Sequence, residues 1–168
     1  MAYMVGHPAV VGAPGDVHSA QKNPIFTRVF DSSGREYIYL PGVASTAIGS
    51  WVNFDGSTDG TTALLDSDVA ATCIGRVAVA TAASIASTWG WYAIYGADVS
   101  GLALTGATDA KNVWAQATAG SVDDADPSAG AANEYRVVGA YFTGAVDEVT
   151  LLASFALNYP QISGLSLD

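Results

Sequence analysis

Ser87-Thr88-Trp89-Gly90-Trp91-Tyr92-Ala93-Ile94-Tyr95-Gly96 is the stretch that decides the fold class. Four large aromatic residues fall within seven positions, between glycines and small residues. A helix would scatter them around its axis, whereas a β-strand accommodates them on a pleated surface. Alternation with period two sets Trp89, Trp91, Ala93 and Tyr95 on one face and Gly90, Tyr92, Ile94 and Gly96 on the other. Both faces are largely apolar. The strand is therefore expected to be covered on two sides, with a neighbouring chain as a candidate cover for one of them. Trp89, Trp91 and Tyr95 become candidates for core packing or for contact between protomers.

Outward from this strand, the pattern stays β. Ile25–Phe30 and Arg35–Leu40 read as a hairpin closed by the turn residues Asp31-Ser32-Ser33-Gly34, with Phe26, Phe30, Tyr37 and Tyr39 available for cross-strand contact. Gly49–Phe54, Thr61–Leu65, Ile74–Ala80, Tyr135–Thr143 and Val149–Leu157 are further strand candidates. Ser67–Cys73 reads as a turn or a single helical turn, and Ser121–Pro127 as a loop. From Asp98 to Glu134 the chain is small and polar, interrupted by Val113-Trp114-Ala115. Helical periodicity is nowhere sustained. Many short strands with regular turn signals predict a mainly β single domain, sandwich or barrel-like. Residues 1–24 carry Pro8, Pro14 and Pro24 among several glycines, which predicts an extended N-terminal arm on a β-rich domain of residues 25–168.

The chain has 168 residues, 50% of them hydrophobic and only 13% charged, against roughly 25% in an ordinary soluble domain. A surface so poor in charge suits a protein packed against others. Net charge is −10, and residues 41–168 hold three bases against 13 acids. This opposes direct binding to nucleic acid, whose phosphates require cations to displace their counterions. Cys73 is the only cysteine, so no intramolecular disulfide forms, and it reads as a small buried filler. The N-terminus lacks a signal-peptide pattern, and Val149–Leu157 is too short to span a bilayer.

Residue chemistry gives no catalytic assignment. His7 and His18 both lie in the Gly/Pro-rich arm, no Gly-x-Ser-x-Gly elbow is present, and no phosphate-binding glycine loop occurs. Asp55-Gly56-Ser57-Thr58-Asp59-Gly60 resembles a calcium loop only superficially, lacking acids at its third position and a Glu at its twelfth. Asp123, Asp124 and Asp126 read as a solvated acidic turn before Pro127. No metal and no cofactor is expected.

The order of several segments resembles the head decoration, or capsid cement, proteins of tailed bacteriophages. The stretches are Thr27–Leu40 followed by Gly42-Val43-Ala44-Ser45, the aromatic strand Trp89–Gly96, Ala117–Asp124, and Val137–Tyr141. The likeness runs loosely from about residue 25 to 160. It implies a non-enzymatic structural virion protein, assembled in the host cytoplasm, that binds the outer surface of the capsid. It also implies a homo-oligomer, with a trimer favoured, whose partner is the major capsid protein. No membrane or nucleic-acid contact is implied. Met4, Val5, Val10, Val11, Ile25 and Phe26 are the candidate capsid contacts, as the arm and its anchor. An alternative reading is a carbohydrate-binding or host-adhesion module, a head-fibre base or lectin-like domain, with Trp51, Trp89, Trp91 or Trp114 stacking on sugars.

Overall fold

A computed structural model describes residues 10–127 and 135–163. Eleven strands form one antiparallel sheet that is not closed, and a single β-rich domain results. In chain order they are β1 (Val17–His18), β2 (Arg28–Phe30), β3 (Glu36–Pro41), β4 (Trp51–Phe54), β5 (Thr62–Leu64), β6 (Arg76–Ala80), β7 (Trp89–Leu102), β8 (Asn112–Ala115), β9 (Val122–Asp123), β10 (Arg136–Phe142) and β11 (Leu152–Ile162). One 3₁₀ turn, Ala70–Thr72, falls within the segment read as a turn or helical turn. No helix among the described residues is long and apolar enough to cross a membrane.

The long strand β7 organises the rest. Its first half pairs with β3 on one edge and with β1 and β6 on the other. Its second half pairs with β11, from Tyr95↔Asn158 to Leu102↔Leu152. The sheet thus forks at β7, and β6 and β11 meet again at Arg76↔Gln161.

Alternation fills both faces of the first half, as the sequence predicts. Tyr37, Tyr39, Trp51, Val77, Val79, Trp91 and Ala93 enter one core cluster with Val99, Phe142 and Phe155 from the other limb of the fork. Ile38, Leu40, Val52, Phe54, Ala78, Ala80, Tyr92 and Ile94 form a second cluster on the opposite face. Packed rings hold the main core: Trp51 meets Phe155 edge-on at 4.9 Å, and Phe142 lies 4.5 Å from Phe155. The Trp51 indole N–H donates to the Leu102 carbonyl at 3.1 Å, so the buried ring leaves no unpaired donor.

Several boundaries differ from expectation. β2 starts at Arg28, because Phe26 adopts φ 66° and only then does the chain enter the ladder. β7 continues through the polar stretch to Leu102, carried by a bulge. Gly96↔Leu157 and Val99↔Phe155 leave one extra residue on β7, where Gly96 and Asp98 have positive φ. Val122–Asp123, inside the segment read as a loop, pairs with Trp114 and Ala115 as β9. β11 begins at Leu152 rather than Val149 and runs through Pro160, because the Asp147 carboxylate holds Val149 and Thr150 in a turn.

The described part of the arm, residues 10–24, is laid against the sheet, with a turn at Pro14-Gly15 closed by the Asp16 N–H donating to the Ala13 carbonyl. Val10 packs on the main core, and Val17 and His18 pair with Gly90 and Trp89. Asn23 is buried and clamps Val11 through both its amide oxygen and its amide nitrogen. The phenol of Tyr39 accepts from the Lys22 backbone N–H and hydrogen-bonds His18 Nδ1 at 2.9 Å.

Candidate functional site

Cross-strand pairing builds one continuous surface across β2, β3, β7, β11 and β10. Phe30 opposes Glu36, Glu36 opposes Tyr95, and Tyr95 opposes Asn158. Two residues along β11, Ala156 opposes Tyr141 on β10, and Tyr141 opposes Asn112 on β8. Phe30, Tyr95, Tyr141 and Tyr159 are all exposed on this side of the molecule's strands.

Tyr159 reaches this surface through an irregularity. Between Val138↔Gln161 and Ala140↔Leu157 the β11 strand carries two more residues than β10. Tyr159 takes φ 49° there, in the left-handed region that costs an L-residue about 1–2 kcal/mol. Gly139 faces the irregularity, and a Cβ there would lie 2.5 Å from the Asn158 carbonyl oxygen. Pro160 is tolerated in the strand because the ladder is already interrupted.

The strain is offset by an ionic and aromatic network. Glu36 is only 2% exposed, yet both its oxygens are satisfied. Arg28 Nη1 donates to Oε1 at 3.2 Å and the Tyr159 hydroxyl donates to Oε2 at 2.6 Å. The Tyr159 phenol is held above its ordinary pKa, first by this bond to the carboxylate and then by burial. The Arg28 guanidinium sits over the Tyr159 ring at 5.8 Å, and Tyr95 stacks on that ring at 5.4 Å. The result is a fixed aromatic platform rather than a set of loose side chains.

Beside the platform runs an open groove of about 1070 Å³. Tyr95 and Tyr141 stand along it with Lys111, Asn112, Arg136 and Asn158, and among the described residues no Asp or Glu lines it. Arg136 Nη2 donates to Asn112 Oδ1 at 2.8 Å, while its Nε is buried without a partner among the described residues. On the other side of Tyr159, Arg28 and Arg76 share a smaller groove of about 340 Å³. Under the first groove lies the hairpin turn, where Asp31 accepts from Ser33 N, Arg35 N, Arg35 Nε and the Tyr37 hydroxyl.

The sequence-derived candidates distribute unevenly. Met4 and Val5 lie outside the described residues. Val10 is packed on the core, whereas Val11 is exposed. Ile25 and Phe26 are half-buried against the second cluster, Phe26 lying 6.4 Å from Phe54. Trp91 is core and Trp89 packs against it. Tyr95 departs from the face of Trp89 and Trp91: it is 39% exposed, because pairing with β3 slips between Glu36 and Tyr37. The tryptophans considered for sugar stacking are mostly interior, with Trp51, Trp91 and Trp114 buried and Trp89 half-buried. Among the described residues the exposed aromatic rings are instead Phe30, Tyr95, Tyr141 and Tyr159.

Cys73 is buried, and its thiol is pushed up to about 12 by burial and then by the nearby Asp66 charge. Asp55 bonds Ser57, and Asp124 accepts from the Thr108 hydroxyl and backbone, which are local turn contacts. Among the described residues no three His, Cys, Asp or Glu side chains gather to hold a metal ion. Sequence reading missed Glu36, Tyr159, Tyr141, Lys111 and Arg136 as a group. Alternation singled out Tyr95 but set it on the face of Trp89 and Trp91; it and the others converge only through strand order, the slip beside Glu36 and the irregularity at Tyr159. Comparison with protein-family models, with curated proteins and with solved structures finds no match.

Proposed function

We propose that this protein is a structural binding protein, a decoration component that attaches to the outer surface of a phage capsid and reinforces its lattice. The observation that carries the proposal is the exposed, pre-fixed platform of Tyr95, Tyr159 and Arg28 with Phe30 beside it. Tyrosine and arginine are enriched at protein contact surfaces, where rigid rings bury area at little entropic cost. The buried Glu36 carboxylate is spent on holding Arg28 and Tyr159 in place, a positioning role. The sequence likeness to capsid cement proteins and the charge-poor surface support the same reading. Symmetric copies would multiply a modest contact into firm attachment.

Phage heads stripped of accessory proteins test this directly. Added chain is expected to bind them to saturation and to raise the temperature at which they release DNA. Tyr159→Ala is expected to weaken that binding while leaving the domain folded. Heads that bind no added chain would refute the proposal.

A second reading is favoured by one observation: Tyr95 and Tyr141 flank a groove lined by amide and basic side chains. Paired aromatic rings with neighbouring amides suit a carbohydrate, and this groove would then serve as a glycan-binding site.

A further inference from the structure

We propose that the groove between Tyr95 and Tyr141 takes an acidic oligosaccharide, one bearing carboxylate or sulfate groups on its sugar rings; this rests on the second reading above. Charge is the first argument. The chain holds 16 acids and six bases, yet among the described residues this groove is lined by Lys111 and Arg136 and by no carboxylate. An anion approaching an otherwise repulsive surface finds its favourable field here. Two neighbouring acids hydrogen-bond elsewhere: Asp31 to Arg35 and Tyr37, and Asp124 to Thr108. Asp124 interacts electrostatically with Lys111 and offsets part of its charge, so Arg136 is the cation of this groove with no such acid interaction shown.

Shape is the second argument. Tyr141 is 54% exposed, and Tyr95 is fixed by stacking on Tyr159. The two stand on strands separated by β11, two strand spacings or about 10 Å apart across the sheet. Flat rings at that separation address sugar faces that are not adjacent in a chain. A groove of about 1070 Å³ exceeds the need of a monosaccharide and suits a short oligomer. Asn112 and Asn158 supply amide donors and acceptors for hydroxyl groups. Asn112 also orients the Arg136 guanidinium, whose planar fork matches carboxylate and sulfate oxygens. An open groove with two flat rings offers ring stacking rather than the enclosed pocket in which a peptide anchor side chain is buried.

The full chain would be screened on an array of uronate-containing, sialylated, sulfated and neutral oligosaccharides. Affinity for the best probe would then be measured at low and high salt. Acidic probes are expected to bind and their neutral counterparts not, with affinity falling as salt rises. Tyr141→Ala is expected to weaken binding about tenfold or more, and Lys111→Gln to weaken it and flatten the salt dependence. Both side chains are exposed, so unchanged circular dichroism is expected of each variant. Neutral sugars bound as well as acidic ones would overturn this inference while leaving the glycan reading standing. No binding to any sugar would overturn both, and acidic binding untouched by either variant would overturn the assignment of the site.

Discussion

Replacing Asp31 by Asn removes one charge and keeps the side chain's shape. The carboxylate is 5% exposed and takes four donors: backbone N–H groups of Ser33 and Arg35 on Oδ1, and Arg35 Nε and the Tyr37 hydroxyl on Oδ2. Burial works against its ionisation, but the donors outweigh burial and hold the carboxyl below its ordinary value of 3.8. In Asp31→Asn the amide nitrogen cannot accept from Arg35, so Arg35 turns to solvent and a charge-assisted bond is lost. Such a bond contributes roughly 1.5–3 kcal/mol, and we expect about 2 kcal/mol of destabilisation at neutral pH. A depressed carboxyl stabilises the fold fully above its unfolded pKa, near 4, and stops doing so as pH falls through the lower folded value. The gap between the two proteins should therefore be largest at pH 7 and close as pH falls below about 4. Urea unfolding at both extremes, followed by the fluorescence of buried Trp51 and Trp91, measures it. An equal gap at both pH values, or none at pH 7, would refute the reasoning.

Four further outcomes follow from the packing. Gly101→Ala would place a Cβ 2.9 Å from both Phe155 Cε2 and Trp51 Nε1, atoms of rings fully buried in the core. Overpacking there should cost about 1–3 kcal/mol, read as a drop in Tm. Phe155→Ala opens a cavity beneath Trp51 and Phe142 and should cost about 3–5 kcal/mol, measured by denaturant titration. Tyr37, pushed up to about 12 by burial and by its bond to Asp31, stays protonated in the fold while the unfolded chain ionises near 10. Its contribution is intact below about pH 10 and is lost as pH rises toward 12, so Tyr37→Phe should flatten an alkaline unfolding curve. Cys73 is buried with a raised thiol pKa, so a thiol reagent should label it at neutral pH only when the chain unfolds.

The aromatic strand was legible because period two governs both its faces: Trp91 and Ala93 enter one core, Tyr92 and Ile94 the other. The hairpin turn was legible because Asp31 and Gly34 carry the bonds and the positive φ that such a turn demands. The second half of β7 was not, since from Asp98 onward the chain reads only as small and polar, with no strand pattern. A bulge carries the strand through it, and Gly101 is small because Trp51 and Phe155 crowd it. The prolines and glycines of residues 10–24 argue against a helix there, but the docking of this segment through Asn23 and Val17–His18 depends on long-range partners. The same holds for the exposed aromatic platform. Arg28, Glu36, Tyr95 and Tyr159 are spread over more than 130 positions and meet only because β3, β7 and β11 are neighbours. A single irregular residue, Tyr159, completes the platform, and no local pattern announces it.

The central claim is tested most directly by the copy number of this chain on purified, DNA-filled virus particles. The account predicts that it co-sediments with them in a fixed ratio to the major capsid protein and is removed from the outside without opening the head. Its absence from intact particles, with all of it recovered in the unassembled fraction, would contradict the claim.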